Sequence, residues 1–340
     1  MARNGEPLMM AQRQLGRRGP TTSAMGLGCM AMSGVYGRLD HAESLATVQE
    51  AVEAGLSLID TGDFYGMGHN EMLLGEALRT IGRERVLLSV KFGAQRDPAG
   101  AWLGFDASPG AVKTALAYSL KRLGTDYVDI YRPARLDPRV PIEDTVGAIS
   151  ELVQAGWVRH IGLSEVGSQT LRRAAQVHPI CDLQIEYSLL SRDIEASILP
   201  TCRELGIGVT AYGVLSRGLI GGDWRPGAAA SGDWRQGAPR FSGDNLTHNL
   251  QLLAPLQELA ARRGVSVAQL AFAWVLSRGH DIVPLLGASR RVTLRDGLLA
   301  LRLSLDDHEL GLLDGAFAAG AAAGGRYPAP QLNHLDSARG

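Results

Sequence analysis

Leu58-Ile59-Asp60-Thr61-Gly62-Asp63-Phe64-Tyr65-Gly66 is the stretch from which the fold can be read. A short apolar run ends in an acid, and a tyrosine follows in a glycine-rich loop. A helix-like segment comes next, over Glu71-Met72-Leu73-Leu74-Gly75-Glu76-Ala77-Leu78 just after Asn70. A second apolar run, Val86-Leu87-Leu88-Ser89-Val90, closes on Lys91-Phe92-Gly93. Strand, helix and strand in this order make a βαβ unit, whose strands are parallel. Asp60, Tyr65 and Lys91 then converge at one end of the sheet. That grouping has a chemical use. A tyrosine titrates near ~10, too high for efficient proton donation at neutral pH. A nearby ammonium stabilises the phenolate, and a carboxylate pairing with the lysine holds the ammonium in place. The alternative is that Asp60 caps the segment after it and Lys91 is an ordinary strand-end charge.

Outward from this unit the alternation recurs. Gln14 to Pro20 is a turn region suited to a small hairpin, and Ala24 to Met30 reads as a first strand. His41 to Ala54 carries Leu45, Val48 and Val52 at helical spacing and stops at Gly55, where a helix end favours glycine. Helix 70–80 precedes strand 86–91. Helix 109–122, with Val112, Leu116 and Leu120 on one face, ends at Gly124 ahead of strand 127–131. Helix 141–155 opens on Pro141, tolerated at a first helical position, and stops at Gly156 before strand 158–163. Helix 168–177 leads to strand 182–185, and helix 194–205 to strand 207–212. A loop rich in Gly, Trp and Arg spans roughly 216–245. Helices 246–263 and 266–278 follow, and a last strand covers 282–286.

Short connections between alternating strands and helices imply parallel strands joined by right-handed crossovers. About eight such units in 340 residues fit a (β/α)8 TIM barrel, in a single domain, better than an open doubly wound sheet. The dinucleotide fingerprint GxGxxG is absent after the first strand. In a barrel the active site lies at the C-terminal ends of the strands, where Asp60, Lys91, Ser164, Gln184 and Tyr212 fall. Irregular structure is expected over residues 1–13 and from about residue 319 on, the tail packing over or near the barrel mouth or fraying.

Hydrophobic residues make up 45% of the chain and charged residues 20%, with a net charge of −1. Nothing favours nucleic acid or an anionic membrane as a partner. No apolar run approaches the ~18 residues that span a bilayer, and the N-terminus lacks a signal-peptide core. Cys29, Cys181 and Cys202 stand far apart in no metal-like spacing and are expected as small buried apolar residues. The expectation is a cytoplasmic protein with a small-molecule partner and no metal site; its oligomeric state stays open.

Several blocks together resemble the aldo-keto reductases, over nearly the whole chain. They are Gly26-Leu27-Gly28-Cys29-Met30, Asp60-Thr61 with Tyr65-Gly66 and Asn70-Glu71, Val90-Lys91-Phe92-Gly93, Gly162-Leu163-Ser164-Glu165, Gln184-Ile185-Glu186-Tyr187-Ser188, Ala211-Tyr212 with Leu215, and Gly287-Ala288. The resemblance implies a (β/α)8 barrel that binds a nicotinamide dinucleotide, usually NADPH, and reduces an aldehyde or ketone by direct hydride transfer. The family's general-acid tyrosine, with its lysine and aspartate, maps onto Tyr65, Lys91 and Asp60. A histidine normally completes the set, in a block like Tyr-x-x-His-Arg-x-Asp-Pro. Here that block is Tyr131-Arg132-Pro133-Ala134-Arg135-Leu136-Asp137-Pro138, with Ala134 in the histidine position. This departure opens two other readings: reduction of an activated C=C bond or an unusual cyclic substrate, or a cofactor-bound regulatory subunit with little turnover. The small alanine alternatively makes room for a bulkier or differently shaped substrate; whether water or a neighbour such as Arg132 fills the space stays open, and His69 is expected to face solvent.

The resemblance also assigns the cofactor, NADPH/NADP+. Ser164 and Gln184, with Glu165 in place of the commoner asparagine, would hydrogen-bond the nicotinamide carboxamide. Tyr212 would stack on the ring unless it is a barrel-core aromatic. Gly213, Leu215, Arg217 and Gly218 would line the pyrophosphate. Gly287, Ala288, Ser289 and Arg290 lead into a helix whose N-terminus suits a 2′-phosphate, with Arg290 pairing to it unless the arginines form a solvated face. Asp296-Gly297 stands where the family carries its adenine-binding Glu-Asn pair. Met30, Tyr36, Phe92, Trp102, Trp224 and Trp234 are candidates for an apolar pocket wall, or ordinary packing.

Overall fold

The apolar runs become eight parallel strands of one closed barrel. The structure is a computed structural model that describes residues 10–34, 40–221, 224, 233–332 and 334–338. The barrel strands are β1 (Gly26–Gly28), β2 (Leu58–Gly62), β3 (Leu87–Phe92), β4 (Val128–Pro133), β5 (Val158–Ser164), β6 (Ile180–Glu186), β7 (Gly208–Tyr212) and β8 (Ile282–Gly287). Each pairs with the next in sequence, and β8 closes on β1 through Leu286↔Leu27 and Gly287↔Gly28. Helices α1 (His41–Glu53), α2 (His69–Ile81), α3 (Pro109–Leu123), α4 (Ile142–Gln154), α5 (Ser168–Val177) and α6 (Ile198–Leu205) return the chain between successive strands. The βα spacing leaves each helix an apolar stripe to bury on the sheet, and the expected barrel is what forms.

Polar signals set the helix ends. The Asp40 carboxylate accepts from Glu43 N at the start of α1, and Ser108 Oγ accepts from Ala111 N at the start of α3. Each such cap contributes about 1 kcal/mol. Gly124 and Gly206 end α3 and α6 in the left-handed conformation.

The floor of the barrel is plugged. Gln12–Gln14 and Thr21–Ser23 form the expected antiparallel hairpin, and Leu15 in its turn is buried with Leu58, Ile130, Cys181, Val283 and Leu285. Gly16 makes this possible: its φ is +73°, and a Cβ there would lie 2.1 Å from the Cys181 carbonyl oxygen. A buried leucine of this kind stabilises by roughly 1.5–3 kcal/mol. A ligand must therefore enter from the opposite end, where the strands terminate.

Several boundaries differ from the sequence expectation, two of them at prolines. Pro141 sits just outside α4 with ψ 137° rather than inside it. The segment 246–263 forms α7 (Gly243–Leu252) and α8 (Ala254–Arg263), because Pro255 has no N–H to continue the ladder. The segment 194–205 is a 3-10 turn, Asp193–Glu195, followed by α6. Helix α9 (Val267–Ser277) opens with a Ser266/Gln269 capping box. Beyond β8 come α10 (Arg291–Leu298) and an unforeseen α11 (Asp307–Ala316), opened by an Asp306/Glu309 capping box. A second unforeseen element is the hairpin of Ala94–Arg96 with Trp102–Phe105. The tail folds over the mouth, where Gly167 N donates to Asp336 at 2.8 Å. The three cysteines are buried and free. Among the described residues no helix is long and apolar enough to cross a membrane.

Candidate active site

Strand register assembles the first group. Asp60 pairs with Ser89 and Gly62 with Lys91 across β2 and β3. The Lys91 ammonium donates to Asp60 Oδ1 at 2.5 Å, and both side chains are 4% exposed. Asp60 Oδ2 accepts from Ser89 Oγ at 2.8 Å and from Gln184 Nε2 at 2.7 Å. A buried ion pair is tolerable only when its remaining donors and acceptors are satisfied in this way. Burial lowers the proton affinity of Lys91, and Asp60 opposes the shift. The ammonium lies 5.0 Å from the centroid of the Tyr65 ring.

Tyr65 is held by the turn after β2. Its N–H donates to the Gly62 carbonyl at 3.0 Å, and Asp63 N donates to the Lys91 carbonyl at 2.9 Å. Asn70 staples the loop from behind: its Nδ2 donates to the Cys29 carbonyl and to Ser33 Oγ, each at 2.8 Å, and its Oδ1 accepts from Thr61 Oγ1 at 2.6 Å. Glu71 pairs with Arg122 at 2.5 Å. Asp63 is less comfortable. One of its carboxylate oxygens is buried without a hydrogen-bond partner, and burial, followed by the nearby Glu71, raises the group to about 7. His69 is half-buried rather than free in solvent, with Nδ1 3.1 Å from Ser33 Oγ.

Beneath this group lies a polar layer that the sequence reading did not assemble. Arg132, fully buried, donates to Asp182 Oδ2 at 2.9 Å and to Ser89 Oγ at 2.9 Å. Thr210 Oγ1 donates to the same Asp182 oxygen. Hydrogen bonds thus run from Thr210 and Asp182 through Arg132 and Ser89 to Asp60 and Lys91, alternating in sign. The visible signal was a set of polar residues at alternate positions of apolar strands: Ser89 with Lys91, Asp182 with Gln184, Thr210 with Tyr212. Arg132 is therefore committed below the mouth and does not fill the space beside Ala134, which is 2% exposed. The nearby cation is Arg135, whose Nη1 donates to the Ala134 carbonyl at 2.6 Å and lies 3.4 Å from Ser164 Oγ.

At the mouth, Ser164 and Gln184 are cross-strand partners, as are Glu186 and Tyr212. Glu165 has φ +52°, unusual for a residue other than glycine or asparagine. Its Oε1 accepts from Glu186 N, Tyr212 Oη and Arg326 Nη1 at 3.0, 2.7 and 3.0 Å. Its Oε2 accepts from Arg326 Nη2 and Ser337 Oγ at 3.1 and 2.5 Å. Burial alone raises this carboxyl, but Arg326, Arg135 and these hydrogen bonds outweigh it and hold the group at about 2. Glu165 thus ties the tail to the barrel. Tyr212 Oη also meets Tyr327 Oη at 3.1 Å. Arg217 pairs with Glu186 at 3.0 Å and lies 4.1 Å over the Tyr327 ring. Arg326, Tyr327 and Ser337 carry no motif that identifies them in the sequence.

The remaining candidates spread outward. Gly213, Leu215, Arg217 and Gly218 form the turn after β7, in which Ser216, Arg217 and Gly218 have consecutive positive φ angles. Gly287 is exposed, and a Cβ there would meet nothing within 4 Å. Ser289 is half-buried and Arg290 exposed, with no ion pair among the described residues. The neighbouring helix N-terminus is already engaged: Arg291 N donates to Glu43 Oε1 at 2.8 Å. Asp296 accepts from Ser266 Oγ and Gln269 Nε2 at 2.9 and 2.6 Å, fastening α10 to α9. Of the pocket-wall candidates, Phe92 is a core residue stacked on Tyr131 with ring centroids 4.4 Å apart. Met30 is partly exposed, Trp102 lies on the extra hairpin and Trp224 packs edge-on to Phe241. Tyr36 and the Trp234 side chain lie outside the described residues.

A sequence profile of the Aldo/keto reductase family matches residues 24–317. The chain belongs to the aldo/keto reductase family. It is 39% identical over 320 residues to a probable aldo-keto reductase 1 of Glycine max, covering 92% of this chain and 91% of that protein. Its structure is similar to that of a glycerol dehydrogenase from Gluconobacter oxydans, with a TM-score of 0.82 and 28% identity over 90% of this chain and 95% of the other. A thermostable aldo-keto reductase solved with the inhibitor epalrestat gives a TM-score of 0.71 at 28% identity, over 90% of this chain and all of the other. Family membership makes this an oxidoreductase that uses a nicotinamide cofactor on carbonyl compounds. The donor set at this reductase's mouth fits such a cofactor. Arg217, Arg240 and Arg326 lie against Glu165 and Glu186, three cations to two carboxylates among these ion pairs, an excess of positive charge suited to a pyrophosphate.

Proposed function

We propose that this aldo/keto reductase reduces a small-molecule aldehyde or ketone with NADPH, with Tyr65 as the general acid. The observation that carries the reading is the satisfied Asp60–Lys91 pair with its ammonium 5.0 Å from the Tyr65 ring, at the open end of the barrel. Tyr65 donates its proton to the carbonyl oxygen as charge develops there. Lys91 stabilises the phenolate left behind, and Asp60, fixed by Ser89 and Gln184, fixes Lys91. The bound reduced nicotinamide supplies the hydride. Gln184 uses Nε2 on Asp60, which leaves Oε1 to accept from the carboxamide beside Ser164, with Glu165 bracing the pair through the tail. Tyr212 offers a stacking surface, and Gly213, Leu215, Arg217 and Gly218 a pyrophosphate site. Gly287, Ser289 and Arg290 are the candidates for the 2′-phosphate, with Asp296 holding their helix in place. A cytoplasmic location agrees with three buried, free cysteines.

The test follows NADPH oxidation against aldehydes, ketones and enones. Tyr65→Phe is expected to lower carbonyl turnover by about 10²–10⁴ while leaving NADPH affinity unchanged. Retained turnover in that variant removes Tyr65 from the mechanism. A second reading rests on Ala134, which supplies no imidazole to orient a carbonyl. On an enone, a saturated ketone product points to C=C reduction, and an allylic alcohol to carbonyl reduction. NADPH binding with no turnover of any substrate points to a regulatory subunit.

A further inference from the structure

Arg135 is the mouth arginine with no carboxylate at ion-pair distance among the described residues, although Glu165 attracts it from farther away. Arg217 and Arg326 pair with Glu186 and Glu165, and Arg240 lies 3.9 Å from Glu186. The bonds Arg135 makes are to the Ala134 carbonyl at 2.6 Å, Ser164 Oγ at 3.4 Å and Tyr327 Oη at 3.4 Å, all uncharged. Its Nε bonds to no described residue and is not among the buried orphans. A carboxylate brought into contact with this guanidinium gains charge-assisted, bidentate hydrogen bonds that its present uncharged partners do not supply. The position is informative too. Arg135 follows Ala134 at the end of β4 and touches Ser164, at the end of the site proposed for the uncharged carboxamide. The phosphates are assigned to Arg217 and Arg290 on other loops, so they leave this charge unused.

We propose that Arg135 recognises a carboxylate adjacent to the reducible carbonyl, so that the preferred substrate class is the 2-oxo acid, reduced to a 2-hydroxy acid. This rests on the reductase reading above. The C=O π bond breaks, the carbon gains the hydride, the oxygen gains the Tyr65 proton, and the phenol is reprotonated from solvent. Arg135 determines specificity and performs none of these steps.

Phenylglyoxylate and its methyl ester separate the possibilities. The keto group of the ester is intrinsically more electrophilic than that of the carboxylate anion, so a pocket blind to charge favours the ester. The wild-type enzyme is expected to favour the acid in kcat/KM by roughly ten- to a hundredfold, the range of a charged hydrogen bond. Arg135→Gln, which keeps a polar side chain but removes the charge, should reverse the preference by lowering kcat/KM far more for the acid than for the ester, while Arg135→Lys retains part of it. Wild-type preference for the ester, or equal loss of both substrates in Arg135→Gln, overturns the proposal. Binding of mandelate and methyl mandelate to the NADP+-loaded protein, by calorimetry, supplies a readout without turnover. Tighter mandelate binding that Arg135→Gln abolishes supports the anion site even if no carbonyl is reduced, in which case the reductase reading alone fails. Equal binding of acid and ester overturns the anion site.

Discussion

Breaking the Asp60–Lys91 pair from either side should not be equivalent. Both side chains are 4% exposed, and removing one member of a buried pair leaves an uncompensated charge, a loss of about 3–5 kcal/mol. In Lys91→Met the Asp60 carboxylate keeps its donors Ser89 and Gln184 and remains attracted to Arg132. In Asp60→Asn the ammonium has no other carboxylate partner among the described residues and is repelled by Arg132. The new amide also turns an NH2 or a single oxygen toward two donors. Asp60→Asn should therefore fall at the upper end of that range and Lys91→Met at or below the lower end. The double variant strands no charge, so it should be less destabilised than the sum by a few kcal/mol. Urea unfolding at neutral pH, with an unchanged slope, measures all three. Additive losses, or a larger loss in Lys91→Met, refute the reasoning. The pH dependence adds a second check. The folded-state pKa of Lys91 lies below its free value, so the unfolded chain binds more protons between that pKa and ~10.5, and stability rises with pH across the window. Asp60→Asn removes the group opposing burial and should extend the window downward.

Three further outcomes follow from named groups. Asp63 is raised to about 7, chiefly by burial, so the folded state holds its proton more tightly than the unfolded chain and stability falls as pH rises from ~4 to that value. Asp63→Asn should remove this slope, worth at most about 4 kcal/mol, and raise the thermal midpoint at pH ~8; a midpoint still falling over the same range speaks against it. Glu165, held at about 2 against ~4.3 unfolded, contributes stability above ~4.3 that is lost as pH falls toward 2. The destabilisation caused by Arg326→Ala should therefore be largest above that pH and shrink below it in acid unfolding curves, and a constant difference counts against the tie. Arg290→Ala should weaken NADPH binding about tenfold or more and leave NADH binding unchanged, as read by quenching of protein fluorescence, whereas an equal effect on both removes the 2′-phosphate assignment.

What was legible in the sequence was local. Apolar runs broken by Gly55, Gly124, Gly156 and Gly206 give the strand and helix order, and parallel pairing with short connections does the rest. Asp60, Tyr65 and Lys91 could be grouped because they stand on two adjacent strands and the turn between strand and helix. The missed elements divide in two. The α11 capping box and the break at Pro255 were written in the sequence and not used. The hairpin carrying Trp102 lacks apolar alternation, and its pairing even shifts register between Gln95 and Arg96, so no periodic pattern marks it. Arg132 with Asp182 could not be paired beforehand, because β4 and β6 meet across the barrel interior and not side by side. The tail contacts are remoter still, joining Arg326 and Ser337 to Glu165 across 161 and 172 positions.

Two of the departures from the family pattern, Ala134 and Glu165, make physical sense when each is read with an arginine. Asparagine suits a left-handed backbone, and glutamate at φ +52° carries strain on the order of 1 kcal/mol. Five donors from the barrel and the tail converge on the Glu165 carboxylate, and hydrogen bonds to a charged group contribute about 1.5–3 kcal/mol each. The network therefore outweighs the strain, but only while Arg326 is present to meet the charge. An asparagine at 165 would relieve the backbone and give up the carboxylate's bonds to Arg326 and Ser337 of the tail. Likewise Ala134 deletes a neutral hydrogen-bonding ring, and the guanidinium of the next residue, with no carboxylate at hydrogen-bond distance among the described residues, becomes the polar group beside Ser164. Both changes trade a short side chain that acts locally for a charge that acts across the mouth. A carbonyl substrate reaching Tyr65 thus meets a pocket whose polarity is set by Arg135 and whose cover is set by Glu165 and Arg326.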